Sequence, residues 1–320
     1  MEISSIPADE YVRVVLPQTL PLWGGTRDLL AYADDFLSIA RSAYGRPERF
    51  TVGLRAGGDI ACSCKLYERE FRWGEKRLRA TGIGAVFTPP QMRGRGYATA
   101  LLGALLDEER NAGRDFVFLF SDIHPLFYER LGFVGLPSRN VTFAAASLDG
   151  RPTGALPIDE DDWPGVRRCF DALDARRPWS FTRTAREWNW VRRMTAPGPT
   201  ATQPVGLAIK RDAEIVAYAV GRRVLRSDAF VFDDFAFNGD EGRALLPALL
   251  RAAAGDLRRI SGWLPPPLAR AALPRGSARR RKDAITMFAP LSADGRSWLQ
   301  TFKAELFAGR ADPVWPADHV

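Results

Sequence analysis

The chain has 320 residues, of which 46% are hydrophobic and 26% are charged, an ordinary balance for a globular protein. At about 100–200 residues per domain, this length predicts two domains. The net charge of +7 suits an anionic partner such as nucleic acid, a membrane surface or a phosphorylated cofactor. A solvated basic surface with no specific partner explains the charge equally well.

The cysteine and histidine content argues against a disulfide framework and against a metal site. The three cysteines are Cys62, Cys64 and Cys169, and the two histidines are His124 and His319. Cys62 and Cys64 are too close in sequence for a usual zinc pair, so we expect both on one face of a strand as small core residues. No signal peptide and no run of ~18 apolar residues is present, which favours a cytoplasmic protein.

The first half alternates helical and strand patterns. Helical spacing over residues 26–43, with Thr26 as its cap, precedes three strand patterns that form hairpins. A helix, a short buried strand, a short helix and a last strand follow. The predicted ranges are, in order, 26–43, 50–55, 60–73, 77–88, 97–111, 116–120, 127–131 and 141–146. This order predicts an α/β fold with a mixed sheet.

The second half follows a Gly- and Pro-rich stretch at 147–157, which reads as a linker. Its predicted elements repeat the order of the first half: helices, a hairpin, a strand, a helix and a strand. The predicted ranges are 162–175, 185–194, 205–210, 215–224, 229–237, 242–254 and 257–263. We therefore expect a weak internal duplication.

The most informative segment is the Gly-rich basic loop between a strand and an amphipathic helix. It reads Thr-Pro-Pro-Gln-Met-Arg-Gly-Arg-Gly-Tyr-Ala-Thr over residues 88–99. A helix N-terminus offers free backbone N–H groups and the positive end of the helix dipole, and Arg93 and Arg95 add charge. The loop is therefore an anion-binding site. It lacks the third glycine of a dinucleotide fingerprint and the Gly-Lys-Ser/Thr of a P-loop.

The pattern Arg93-x-x-Gly96-x-Ala98 resembles the pyrophosphate loop of the GCN5-related N-acetyltransferases (GNAT). A solvated Arg/Gly turn before a core helix is the alternative. The resemblance is specific over about fifty residues. It extends to Tyr128-x-x-x-Gly132-Phe133, which is similar to the Tyr-x-x-x-Gly-Phe element of that family.

The resemblance implies that acetyl-CoA is the co-substrate; the low histidine count already makes a metal cofactor unexpected. In this family the strand before the loop splays from its neighbour and binds the pantetheine arm. Gly82 and Gly84 weaken that strand here, as at a bulge or a close backbone approach. By position, the cofactor-binding residues are Val86, Phe87, Thr88, Arg93, Gly94, Arg95, Gly96, Tyr97, Ala98, Thr99, Ser121 and Asp122.

Tyr128 is the implied general acid, because the family's tyrosine at this position commonly protonates the departing thiolate. The alternative is that Tyr128 is a core aromatic residue, as Phe127 and Phe133 are expected to be. The backbone N–H of Val86 is the implied donor that polarises the thioester carbonyl.

Residues 238–242 hold the place of the loop in the second half, and they carry Asp240 and Glu241. Acidic residues there would repel pyrophosphate, so the second domain is expected to be degenerate and to shape the acceptor pocket. Tandem domains of this type resemble the enhanced-intracellular-survival (Eis) acetyltransferases. We predict a catalytic domain at 1–148 and a degenerate domain at 149–320 whose tail returns to the active site.

By analogy with the Eis group, the terminal carboxylate of Val320 is a candidate general base. The alternative is a frayed terminus with no role. The run Arg279-Arg280-Arg281-Lys282 is expected to be a solvated loop.

The predicted function is direct transfer of an acetyl group from acetyl-CoA to a primary amine of a small molecule or peptide. The acceptor itself, the acyl-chain preference and a homo-oligomeric state stay open. One rival function is a non-catalytic acyl-CoA sensor, which would share the loop without needing Tyr128. The other rival is a nucleic-acid-binding protein, for which we find no RNP-type or helix-turn-helix signature. A membrane partner is not expected.

Overall fold

A computed structural model describes residues 2–42, 49–148, 154–196, 202–307 and 314–319. The strands are β1 (Glu2–Ser5), β2 (Thr51–Ala56), β3 (Asp59–Trp73), β4 (Lys76–Phe87), β5 (Phe116–Ser121), β6 (Val134–Gly135), β7 (Arg139–Ala144), β8 (Leu156–Pro157), β9 (Trp179–Phe181), β10 (Gln203–Arg211), β11 (Glu214–Val224), β12 (Ala229–Phe237), β13 (Arg259–Trp263), β14 (Ser277–Arg280) and β15 (Ile285–Pro290). The α-helices are α1 (Ala8–Glu10), α2 (Leu16–Trp23), α3 (Leu29–Ala40), α4 (Tyr97–Asn111), α5 (Leu126–Glu129), α6 (Trp163–Asp174), α7 (Ala185–Thr195), α8 (Gly239–Ala254), α9 (Pro267–Arg270) and α10 (Ala293–Phe307).

The chain forms two compact units, each built on its own sheet. Among the described residues, unit 1 comprises 2–42, 49–136 and 282–303, and unit 2 comprises 137–148, 154–196, 202–281, 304–307 and 314–319. In unit 1 the strand order is β1-β2-β3-β4-β5-β15-β6, with only the β4/β5 pair parallel among these pairings. In unit 2 the order is β14-β7-β13-β12-β11-β10-β8, and β12/β13 is the parallel pair.

The two sheets share the predicted internal repeat. In unit 1, three antiparallel strands (β2, β3, β4) lead into α4 and then into β5, which lies parallel to β4. In unit 2, β10, β11 and β12 lead into α8 and then into β13, which lies parallel to β12. The prediction of two mixed, mostly antiparallel sheets flanked by helices is therefore confirmed.

The sheet of unit 1 separates two apolar clusters because strand side chains alternate between its faces. On one face, Cys62 and Cys64 pack with the buried leucines of α4, as predicted for small core residues. On the other face, the segment from Ile6 to Leu16 packs with Phe36 and Phe50. Strand β3 contributes Cys62, Cys64 and Leu66 to the first cluster and Ile60 and Tyr67 to the second.

The helix predicted over 26–43 begins later than expected, at Leu29. Its cap is Asp28 and not Thr26, since the carboxylate of Asp28 accepts a hydrogen bond from the N–H of Ala31 at 2.8 Å. Aspartate at this position satisfies one of the free donors of the first turn. Residues 8–23, to which the sequence analysis assigned no structure, are also helical.

The two units divide the chain differently from the predicted boundary at residues 148/149. The last strand predicted for the first domain, observed as β7, pairs with β13 and β14 in the sheet of unit 2. In return, β15 pairs with β5 and β6 in unit 1. Each sheet therefore contains a strand from the other half of the sequence, and the roles assigned to 1–148 and 149–320 stay predictions.

Candidate functional site

The loop between β4 and α4 is shaped by two glycines in left-handed conformations. Gly94 has φ +75° and Gly96 has φ +79°, and a Cβ added at either position would meet nothing within 4 Å. These glycines are therefore required by backbone conformation and not by crowding. The predicted loop residues Arg93, Gly94, Arg95 and Gly96 are all exposed.

The N-terminus of α4 presents unpaired donors beside this loop. The first backbone hydrogen bond of the helix runs from the N–H of Ala100 to the carbonyl of Gly96 at 2.9 Å. Gly96 provides no side-chain cap, and within the described ranges no acceptor is found for the N–H groups of Tyr97, Ala98 and Thr99. Three donors, a helix dipole and two nearby arginines are an arrangement that can bind a phosphate group.

Arg93 also holds the start of the loop, because its Nε donates to the carbonyl of Thr88 at 3.1 Å. This bond joins the end of β4 to the basic segment. The guanidinium has further N–H donors besides Nε, so the same side chain can position the loop and contact an anion.

The strand before the loop parts from its parallel neighbour, as the family resemblance implies. The β4–β5 pairing runs from Ala80/Phe116 to Ile83/Leu119 and then stops. Beyond it, Ala85 has φ +50° and the β3–β4 register shifts, which is a bulge in β4. Val86, Phe87 and Thr88 follow this bulge on the side where the two strands no longer pair.

Tyr128 lies in α5 against Phe127 and Phe133, with ring centroids 4.9 and 5.8 Å away. Tyr128 is buried, and burial raises the pKa of its phenol to about 12, so the hydroxyl keeps its proton throughout the neutral range. Across the described chain, no hydrogen bond engages this hydroxyl. The backbone carbonyl of Tyr128 accepts from the N–H of Phe133 across Gly132, which has φ +91°.

Ser121 and Asp122 have structural partners at the end of β5. The hydroxyl of Ser121 donates to the carbonyl of Ile123 at 2.9 Å. The carboxylate of Asp122 accepts from the N–H of Ala284 at 2.9 Å, just before β15 begins. Both side chains therefore hold the turn beside the parted strands, and their predicted contact with the cofactor stays a prediction.

Val320, the predicted base, lies outside the described residues. The segment before it is anchored in unit 2, where Trp315 is buried with its ring 5.0 Å from that of Phe235. Asp318 accepts from Nε of Arg183 at 3.0 Å, and Arg183 also donates to Asp234 at 2.6 Å. Residues 314–319 are therefore packed and not frayed.

The sequence analysis missed this buried ionic cluster, which consists of Arg183, Asp234, Asp318 and Tyr218. A signal was available in β12, where Asp233 and Asp234 interrupt an otherwise apolar strand. Buried charges of this kind need partners, so the pair indicates a buried cation such as an arginine nearby.

The corresponding helix of unit 2, α8, begins very differently from α4. Asp240 and Glu241 lie in its first turn, and Glu241 is paired with Arg211 at 2.9 Å. At Gly242 a Cβ would stand only 2.0 Å from the carbonyl oxygen of Val216, so the helix packs closely on β11. This helix start carries acidic side chains where α4 has exposed arginines beside it.

The described residues include no helix that is long and apolar enough to span a bilayer. They also include no group of three or more His, Cys, Asp or Glu side chains arranged to hold a metal ion.

Comparison with known proteins relates this geometry to one family. Residues 32–135 match the family model described as an acetyltransferase (GNAT) domain. A GCN5-related N-acetyltransferase from Kribbella flavida has a TM-score of 0.69 at 18% identity, over 92% of this chain and 73% of that one. Eis1 from Mycobacterium abscessus has a TM-score of 0.60 at 16% identity, over 91% of this chain and 74% of that one.

Similarity extends to a more distant acyltransferase. The Saccharomyces cerevisiae N-myristoyltransferase with bound myristoyl-CoA gives a TM-score of 0.59 at 11% identity, over 90% of this chain and 82% of that one. Among curated proteins, no relative matches by sequence.

Residues 32–135 therefore resemble a GNAT acetyltransferase domain, and the chain as a whole has the fold of these acyltransferase structures. The matched residues all lie within unit 1, and the whole chain is similar in fold to the Kribbella flavida acetyltransferase and to Eis1.

Proposed function

We propose that the chain is an acetyl-CoA-dependent N-acetyltransferase that acts on a primary amine of a small molecule or peptide. The observation that carries this proposal is the combination, within unit 1, of the α4 loop, the parted β4 and β5 strands and Tyr128. The three free, buried cysteines suit the reducing compartment that we expect for it, the cytoplasm.

In this proposal the loop holds the pyrophosphate of acetyl-CoA. The N–H groups of Tyr97, Ala98 and Thr99 would donate to phosphate oxygens, with Arg93 and Arg95 supplying charge. Phe87 and Thr88 would border the pantetheine arm in the gap between β4 and β5. Ser121 and Asp122 would border it from the β5 side.

The proposed reaction is a direct displacement of the CoA thiolate by the acceptor amine. The acceptor nitrogen attacks the thioester carbonyl carbon, and the N–H of Val86 stabilises the resulting oxyanion. The C–S bond then breaks, and the thiolate takes the proton that Tyr128 carries. The amine loses its own proton to water or to a base, for which the Val320 carboxylate is the candidate.

Titration calorimetry with acetyl-CoA tests the binding part of the proposal. We expect one molecule per chain, because the first turn of α8 carries acidic residues where α4 has exposed arginines beside it. Arg93→Glu should abolish measurable binding, since it reverses a charge beside the phosphate. Arg168→Glu, which changes an exposed arginine in unit 2, is the control and should leave binding unchanged.

Thiol release across an amine panel tests the catalytic part. Tyr128→Phe should lower turnover by about 10²-fold or more while the affinity for acetyl-CoA stays the same. Removal of the last three residues tests the carboxylate of Val320, and unchanged turnover would eliminate it as the base. Binding of acetyl-CoA without thiol release for any amine would instead favour an acyl-CoA sensor.

A further inference from the structure

Lys65 on β3 is a partly buried cation among aromatic rings. Its Nζ lies 5.1 Å from the ring centroid of Phe36, 5.8 Å from that of Tyr11 and 6.0 Å from that of Phe50. In the described part of the chain, no carboxylate lies within ion-pair distance of this ammonium group. Two other lysines differ, because Lys76 is paired with Asp294 and Lys210 with Asp162, both at 2.6 Å.

Ser63 provides a second polar group on the same face of β3. Side chains two positions apart on a strand point to the same side, with Cα atoms about 6.6 Å apart. The hydroxyl of Ser63 is buried, and within the described residues it has no hydrogen-bond partner. Buried hydroxyls without partners are uncommon, so this atom favours a ligand contact.

Both residues lie opposite the bulge in β4. Ser63 is paired with Phe87 and Lys65 with Gly84, so Ala85 and Val86 stand between their partners. Val86 is the proposed oxyanion donor. The two polar groups therefore lie across the β3–β4 ladder from the segment proposed to hold the thioester.

The environment of Lys65 leaves its charge incompletely stabilised. The rings offer cation–π attraction, but they accept none of the three N–H donors in the way an oxygen does. Burial is the main cause that lowers the pKa of Lys65 to about 8, and the more distant carboxylate of Asp35 opposes this effect. A carboxylate bound to Lys65 would supply the missing acceptor and counter-charge.

We propose that Lys65, assisted by Ser63, binds a carboxylate of the acceptor, so that the acceptor is an amine that also carries a carboxylate, such as a free amino acid. This inference rests on the proposed N-acetyltransferase function. It makes Lys65 a specificity-determining residue. It also disfavours polyamines and other polycations, which an unpaired ammonium group repels.

The test compares matched acceptors. A free amino acid and its amide carry an amine on the same carbon with the same side chain, and the amide replaces the carboxylate with an uncharged group; rates are compared per unprotonated amine, because the amide's amine is the less basic of the two. With acetyl-CoA, thiol release should show kcat/KM at least about tenfold higher for the acid than for its amide, since a hydrogen bond between charged groups is typically worth that much. Spermidine should be a poor acceptor.

Lys65→Met should remove this preference. The kcat/KM for the acid should fall about tenfold or more, mainly through KM, whereas the amide and the acetyl-CoA affinity should change little. Ser63→Ala should cause a smaller loss for the acid. Lys76→Met is the matched control, because it removes a lysine from the same sheet that also lies over an aromatic ring, and it should leave the preference intact.

The outcomes separate the two proposals. A wild-type enzyme that acetylates acids and amides equally overturns the carboxylate site, whether or not any variant folds, and so does a Lys65→Met enzyme that keeps the preference. A fall in kcat with an altered alkaline limb would assign Lys65 to proton transfer and would also overturn it. Binding of acetyl-CoA with no acetylation of any amine overturns the proposed function itself.

Discussion

At the scale of single residues, Lys65 should give the protein an identifiable pH dependence. Its pKa in the fold is about 8, below the ordinary value of about 10.4 for an unfolded chain. Between these values the folded state binds fewer protons than the unfolded state, so the free energy of unfolding rises with pH. Relative to Lys65→Met, the wild type should therefore gain stability from about pH 8 to pH 10.

Urea denaturation at intervals from pH 7 to pH 10 measures this difference. One lysine can contribute at most about 1.4 kcal/mol per pH unit to the slope of the unfolding free energy against pH. Lys76→Met serves as the control, and its stability should run parallel to that of the wild type. Parallel curves for Lys65→Met and the wild type would contradict the lowered pKa.

Arg183 is the residue on which the buried ionic cluster of unit 2 depends. Its side chain and that of Asp234 are fully buried, and Asp318 is nearly so. Tyr218 adds a hydrogen bond to Asp234 at 2.7 Å. Arg183→Met would leave two buried carboxylates without their cation, so we expect a loss of roughly 3–5 kcal/mol in unfolding free energy.

Denaturant unfolding of Arg183→Met beside Arg168→Met provides the measurement. Arg168 is exposed and lies 3.4 Å from Glu214, so its loss should change stability by less than about 1 kcal/mol. A loss of that small size for Arg183→Met would show that the cluster contributes little. Since whole domains are stable by only ~5–15 kcal/mol, the expected loss is large.

At the scale of elements, α4 offers two glycines with opposite expected effects. Gly96 has φ +79°, where alanine lowers the free energy of unfolding by roughly 1–2 kcal/mol. Gly103 lies inside the helix, where alanine raises the free energy of unfolding by roughly 0.5–1 kcal/mol. A Cβ meets nothing within 4 Å at either site. Gly96→Ala should therefore lower the melting temperature and weaken acetyl-CoA binding. Gly103→Ala should raise the melting temperature and leave acetyl-CoA binding unchanged.

Thermal melts and calorimetry on this pair check the role of the loop backbone. Because the same side chain is added in both variants, any difference in acetyl-CoA affinity reports on the loop. Equal affinities for Gly96→Ala and the wild type would contradict a phosphate-binding role for this turn.

Elements with strong local signals could be predicted closely from the sequence. The predicted bounds of α4 and β12 are those observed, because an apolar periodicity meets clear glycine or polar boundaries at both ends. The helical segment 8–23 lacked such a signal. It contains Pro17 and Pro21, which disfavour a helix interior, and a π-helical turn interrupts it at Tyr11–Val15.

The candidate site could be predicted only in part for a related reason. The loop glycines and Tyr128 lie in recognisable local patterns, so their proposed roles follow from short segments. The position of Lys65 on a strand was also predictable, and so was the face it shares with Ser63. The sequence does not reveal that the Lys65 ammonium group lies near three aromatic rings and, in the described chain, near no carboxylate. This environment depends on Tyr11, Phe36 and Phe50, which belong to other parts of unit 1.

At the scale of the whole molecule, the exchange of β7 and β15 decides how the chain can be divided. Pairing between β5 and β15 joins residues more than 160 positions apart, and no local pattern predicts it. Ile285, Met287 and Ala289 of β15 are buried in the same cluster as α4. Trp298 of α10 completes the packing, with its ring 4.8 Å from Phe71 and 5.5 Å from Phe116.

A fragment that ends at the predicted boundary should therefore fail to fold. Residues 1–148 lack β15 and α10, so β5 would expose both its hydrogen-bonding edge and its apolar partners. A second fragment, in which residues 1–136 are joined by a Gly/Ser linker to residues 282–303, retains the seven strands of the order β1-β2-β3-β4-β5-β15-β6. Near-ultraviolet circular dichroism and acetyl-CoA calorimetry should show a packed, binding-competent protein for the second fragment and not for the first. Cooperative unfolding and acetyl-CoA binding by residues 1–148 alone would contradict this account, because β15 would then be dispensable for the sheet that carries the loop.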